Sequence, residues 1–124
     1  MKILSLLFMF LTLPYSIDRA YAVSVSVSVS VSSEIDHLIA YVTASDCSFI
    51  RNGSVHPTSE AVEHMKKKYQ YFKKKINSAE QFIELSASKS TMSGKPYFIK
   101  CPGAKQKQSR IWLLEELHHY RQNK

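Results

Sequence analysis

Two cysteines, Cys47 and Cys101, constrain this chain more than any other feature of its sequence. In an oxidising compartment such a pair closes into a disulfide by default. Each cysteine ends a short extended run: Cys47-Ser48-Phe49-Ile50-Arg51 on one side, Tyr97-Phe98-Ile99-Lys100 leading to Cys101 on the other. A bridge between them predicts that the two runs pair in a small antiparallel sheet. Closing a loop of about 55 residues is worth roughly 4 kcal/mol through the entropy of the unfolded chain, a large share of the stability of a small domain. The competing reading is a nucleophilic thiol with His56 or His64 as its base, which requires the cysteine to stay reduced.

The compartment is read from the N-terminus. Lys2 precedes an apolar stretch from Ile3 to Leu13 interrupted only by Ser5 and Thr12, Pro14 follows, and Ala20-Tyr21-Ala22 places small residues where signal peptidase cuts. As a helix the apolar stretch spans about 16 Å, short of the roughly 30 Å hydrocarbon core. Residues 1–22 are therefore expected to be a secretory signal cleaved after Ala22, with an uncleaved anchor, flanked by Asp18 and Arg19, as the alternative. The expected destination is the periplasm or the medium. Without Lys2, Asp18 and Arg19 the chain keeps 15 basic and 9 acidic side chains. A basic, soluble, exported domain without a stable membrane span has an envelope protein or an anionic envelope component as its expected partner. Its location argues against nucleic acid.

At 124 residues, 44% hydrophobic and 22% charged, the chain has room for one folded domain. It contains no Walker A loop, GxGxxG, HExxH, GxSxG or paired CxxC, so no cofactor is expected and no enzyme class is indicated. Its five histidines show no HxH or HxxxH spacing, and His118 and His119, adjacent on a helix, diverge by about 100°. A metal site is not expected.

Five Val-Ser repeats fill Val23–Ser32 and read either as a low-complexity tether over 23–33 or as an edge strand open to another chain. A single helical domain is expected over 34–124. Ser33 suits an N-cap, and Ile35, Leu38, Ile39 and Val42 form the stripe of a first helix ending near Ser45. Asn52-Gly53 favours a type I′ hairpin turn, with Ser54-Val55-His56 as the return strand. Pro57 opens a second helix whose Ala61, Met65, Tyr69, Phe72 and Ile76 share one face for about five turns, with Lys66, Lys67, Lys73 and Lys74 opposite. Ser78-Ala79-Glu80-Gln81 matches a capping box for a short third helix with Phe82, Ile83 and Leu85. Ser88–Lys95 reads as polar loop, Pro102–Gln108 as basic loop. Ser109 caps a last helix buried through Trp112, Leu113, Leu117 and Tyr120. The expected class is mainly α with a small antiparallel sheet: about four helices and one disulfide.

Two loop tips carry cations that turn chemistry does not require, Arg51-Asn52-Gly53 and Ser93-Gly94-Lys95-Pro96-Tyr97. The disulfide would bring them together, and exposed loop tips are common recognition sites. On the second helix His64, Lys68, Tyr71 and Lys75 are spaced four, three and four apart. They form either a cation–aromatic stripe for an anionic group or lysines snorkelling over the core edge. The candidate binding residues are thus Arg51, Asn52, Gly53, His64, Lys68, Tyr71, Ser93, Gly94, Lys95 and Tyr97. No catalytic residue is nominated.

Several blocks then resemble a family of small periplasmic proteins, the YfeK-like family. They are Ser45-Asp46-Cys47 with Phe49 to Ser54; Glu60-Ala61, His64 and Lys68-Tyr69; Ser78-Ala79-Glu80 with Phe82-Ile83; Ser88-Lys89-Ser90; Ser93 to Tyr97 ending at Cys101; and Trp112-Leu113, Glu116-Leu117 and Tyr120-Arg121. The resemblance covers about Ile35 to Arg121 and leaves out the Val-Ser repeat. The family has no assigned function, so it implies export and a shared small fold only. Ser93-Gly94-Lys95-Pro96-Tyr97 is also similar to the Ser-Gly-x-x-Tyr loop that periplasmic C-type lysozyme inhibitors insert into the enzyme's cleft, although those are β-barrels and this basic chain reads as helical. The function expected is a non-enzymatic binding or accessory protein of the envelope. The alternatives are an inhibitor of a cell-wall-degrading enzyme and an enzyme acting on an envelope polymer.

Overall fold

The computed structural model describes the chain from Asp18 to Lys124, with side-chain surroundings from residue 30 onward. The expected signal segment lies outside the described residues as far as residue 17. Among the described residues the elements run α1 (Asp18–Ala44), β1 (Ser48–Arg51), β2 (Ser54–His56), α2 (Thr58–Phe72), α3 (Ala79–Ser86), β3 (Phe98–Lys100), β4 (Lys107–Gln108) and α4 (Ser109–Gln122). This is the expected mainly helical fold with a small antiparallel sheet, here four-stranded in the order β2-β1-β3-β4.

The sheet follows from the two features read first. Asn52 and Gly53 take positive φ, 49° and 78°, the backbone of a type I′ turn, so β1 folds directly back into β2. Ser48 pairs with Lys100 and Phe49 with Ile99, a register that sets Cys47 opposite Cys101. Their Cα atoms are 4.0 Å apart and the disulfide is formed. Strand β4, inside the basic loop, was not expected. Its two residues are exposed and lack an apolar alternation that would betray them.

The helices cover one face of the sheet. Ile35, Leu38 and Val42 of α1 meet Phe82 and Ile83 of α3 and Trp112, Leu113 and Leu117 of α4, with Phe49 and Ile99 closing the core from the sheet. Every apolar position expected for α1 and α4 is buried or packed against this cluster, apart from Tyr120, which is half-buried and stacks on His37.

Four local expectations are corrected. Helix α1 does not start at Ser33 but runs back to Asp18 through the Val-Ser repeat. That stretch holds no Pro or Gly, and Val and Ser each give up only a fraction of a kcal/mol relative to Ala in a helix, so nothing stops it at Ser33. Helix α2 ends at Phe72, and Lys73–Lys75 form a tighter turn before Ile76 becomes extended, so the five-turn face is shorter than expected. Val62 and Lys68 are also buried on α2, one at each edge of that face, which is wider than expected. Ser109 is the first residue of α4 rather than its cap. It is wholly buried, its N–H donating to Tyr97 O at 3.0 Å and its hydroxyl to Ala87 O at 2.7 Å.

At the end of the molecule away from the hairpin turn, charge ties three helices. Arg121 of α4 donates to both carboxylate oxygens of Glu34 on α1, at 2.6 and 3.0 Å, and its Nη2 lies 2.5 Å from Glu80 Oε1 on α3. Glu34 is buried; the guanidinium bonded to it holds its carboxyl below the usual range against the opposing effect of burial.

Candidate functional site

The site is assembled where the β1–β2 turn, the loop after α3 and the outer side of α2 converge. Strand alternation puts Arg51 on the same sheet face as Cys47 and Phe49, so its side chain leaves the end of the strand on the helix side of the sheet, half-buried. The loop after α3 is closely tied. Ser88 Oγ donates to Ile83 O at 2.6 Å, Ser90 N to Lys95 O at 2.9 Å, and Gly94 N, at a φ of 72°, to Ser90 O at 2.9 Å. Ser88 and Ser90 are buried, although the sequence reads as exposed loop. Their hydroxyls replace the hydrogen bonds that a buried turn would otherwise leave open.

This loop meets the hairpin tip directly, Ser93 Oγ donating to Asn52 Oδ1 at 2.7 Å. Arg51, Asn52, Gly53, Ser93, Gly94 and Lys95 therefore share one edge of the molecule. Beneath them lies Tyr97, 7% exposed, its hydroxyl 3.0 Å from His64 Nε2. Lys68, 9% exposed, sits 5.3 Å from the Tyr97 ring centre and donates to Lys89 O at 2.7 Å. Ten residues were nominated from sequence, and nine meet here. Tyr71 does not: it is 80% exposed and packs edge-on against Phe72. Lys75 stands exposed in the turn after α2. The helical stripe is broken because Lys68 turns inward to a backbone carbonyl while α2 ends a turn later.

Burial and neighbouring cations set the protonation of the group. His64 is pushed down to about 4, first by burial and then by Arg51, Lys68, His56 and Lys67, so its ring is neutral at pH 7. Burial likewise pushes the Lys68 ammonium down, helped by Arg51 and Lys89, and pushes the Tyr97 hydroxyl up. Among the described residues no carboxylate pairs with Arg51, Lys68 or Lys95.

A recess opens beside this cluster, lined by Arg51, His56, Glu60, His64, Ser86 and Tyr97 over an apolar floor of Phe49, Ala61, Met65 and Ala87. Its cavity volume is 30 Å³. Ser86, fully buried on α3, contributes a hydroxyl with no hydrogen-bond partner. Ser86 and Glu60 are parts of this site that were not nominated from sequence. Ser86 falls on the buried stripe of α3 at i+3 and i+4 from Ile83 and Phe82, the signal that would have found it. His56 joins His64 in the recess, 3.2 Å from Glu60, while the other histidines are dispersed: His37 lies 3.0 Å from Glu116, and His118 and His119 are exposed.

Comparison with known proteins agrees with the blocks read from the sequence. A family described as a family of unknown function, DUF5329, matches residues 29–121. The chain belongs to the DUF5329 family. An uncharacterized protein, YfeK, of Salmonella typhimurium is 43% identical over 60 residues, 48% of this chain and 50% of that protein. The chain thus aligns with about half the length of this curated relative. No solved structure matches. The DUF5329 match takes in the hairpin, the loop after α3 and α4, hence every residue of the recess.

Proposed function

We propose that this DUF5329 protein is an exported, non-enzymatic binding or accessory protein of the cell envelope, and that it docks its partner on the edge formed by the two loop tips. The observation that carries the reading is the Ser93–Asn52 hydrogen bond at 2.7 Å. It holds two turns from distant parts of the chain as one surface, with Arg51 and Lys95 on it and no ion pair for either among the described residues. Export is supported by the N-terminal apolar segment and by a disulfide suited to an oxidising compartment.

Two observations favour binding over the alternatives. An enzyme acting on a polymer would need to enclose part of it, and small-molecule sites usually measure about 300–1,000 Å³. The recess that holds His64 and Glu60 measures 30 Å³. An inhibitor that inserts its Ser93–Tyr97 loop would present Tyr97, yet Tyr97 is buried against His64. Replacing Arg51 and Lys95 together by Ala is expected to abolish crosslinked capture of the partner from an envelope fraction while leaving thermal unfolding unchanged. Undiminished capture would reject the surface.

A further inference from the structure

We propose that the recess beneath Arg51 receives a carboxylate from an acidic protein partner, and that His64 takes up a proton from solvent as the carboxylate enters. The inference rests on the docking surface above and gives its partner a chemistry.

Charge comes first. Arg51 is half-buried and Lys68 buried, neither paired with a carboxylate among the described residues, with Lys67 and Lys89 adding exposed positive charge nearby; the carboxylate lining the recess, Glu60, is 3.2 Å from His56 and half exposed. Partly desolvated cations without a counter-ion are unfavourable, and an incoming anion removes that penalty. The second ground is the Ser86 hydroxyl, a fully buried donor that lines the recess without a partner. Such a group is expected to be satisfied by something that binds. Size is the third. A water-sized atom needs about 10–15 Å³ of this kind of space. The recess at 30 Å³ therefore has room for about two or three such atoms, enough for the oxygens of a carboxylate.

The proton follows from the surroundings of His64. Arg51 from β1, His56 at the end of β2, and Lys67 and Lys68 from its own helix all disfavour a charged ring, while Glu60 lines the same recess. An anion beside the ring reverses that balance, and Tyr97 Oη, 3.0 Å from Nε2, is placed to accept from the imidazolium. A protein partner is favoured over a polysaccharide or a lipid headgroup by Met92, 98% exposed next to Ser93. An exposed apolar side chain beside a charged centre suits a protein interface, where Met is enriched.

The test is amide and imidazole NMR of the exported chain titrated with sodium acetate between pH 7.5 and 5.5 at fixed ionic strength, with inorganic phosphate in a parallel arm. Acetate is expected to shift Arg51, His64 and Ser86 saturably. The His64 midpoint should rise by about two units, which strengthens apparent acetate affinity about fourfold from pH 7.5 to 5.5 by linkage. His64→Gln should bind without that pH dependence, and Ser86→Ala should bind several-fold more weakly with an unchanged or higher Tm. Shifts no different from those in chloride, saturation by phosphate alone, or acetate affinity independent of pH in the wild type would each overturn the proposal. If acetate fails while the Arg51/Lys95 double variant still abolishes capture, the docking surface stands and the carboxylate recess falls. If acetate saturates while capture is untouched, the recess stands and the docking surface falls.

Discussion

The molecule gathers basic side chains in two places and treats them in opposite ways. At one end Arg121 faces Glu34 and Glu80, so the guanidinium is neutralised by its own chain and three helices are bound together. At the other, Arg51 and His64 line a recess, Lys68 lies against the Tyr97 ring at its side, and no carboxylate pairs with Arg51 or Lys68 among the described residues. The protonation of each region follows: Arg121 is driven further toward its charged form, His64 and Lys68 away from theirs. A compensated cluster strengthens the fold. An uncompensated one weakens it slightly and leaves attraction to be used on something else. The Cys47–Cys101 staple lies at the opposite end of the β1–β3 pair from Arg51.

That contrast can be broken from either side. The largest effect should come from the staple: with both cysteines replaced by Ala, chemical denaturation should show a loss of about 4 kcal/mol, and the amides of β1 and β3, which carry the loop tips, should lose exchange protection before those of α4. A loss shared evenly by both ends would show that the two regions are not separately secured. Next, Arg121→Ala should cost about 2 kcal/mol at pH 7, because it strands a buried carboxylate while the arginine itself is partly solvated. The sign with pH is set by the lowered Glu34 carboxyl. Stability from the pair is complete above the unfolded carboxyl value of about 4.3 and is lost as pH falls through the folded one, so variant and wild type should converge in acid. The smallest effect is expected for Arg51→Ala, within about 0.5 kcal/mol at pH 7. Between pH 6.5 and about 4 the unfolded chain holds a proton on His64 that the folded chain lacks, so wild-type stability falls as pH falls through that window. Arg51→Ala should reduce this fall and raise the His64 midpoint seen by NMR; an unmoved midpoint would mean that Arg51 is not part of the cluster.

Much of this was legible in the chain. The stripes of α1 and α4, the Asn52-Gly53 turn and the Ser78 cap, whose hydroxyl accepts from Gln81 N at 3.1 Å, are local patterns that need no partner to be read. The failures share a cause as well. For Lys68 the spacing leaves both a surface stripe and a snorkelling lysine open, and the Lys89 carbonyl, which draws it inward, is invisible to spacing along one helix. Ser86 and Ser109 are polar by composition but buried by position, each next to backbone or cavity contributed by a segment that sequence distance hides. The start of α1 was misplaced because the period-two Val-Ser run reads as strand or tether when no neighbour is known.

The sequence by itself determined which faces are apolar, where the chain turns and which two sulfurs bond, since these depend on spacing along one segment or on there being two cysteines. Only the tertiary structure decided which charges are answered. Arg121 meets residues 87 and 41 positions away, and Arg51 meets none of opposite sign among those described. Charge compensation depends on distances between segments, and folding sets those distances only after the local patterns have done their part.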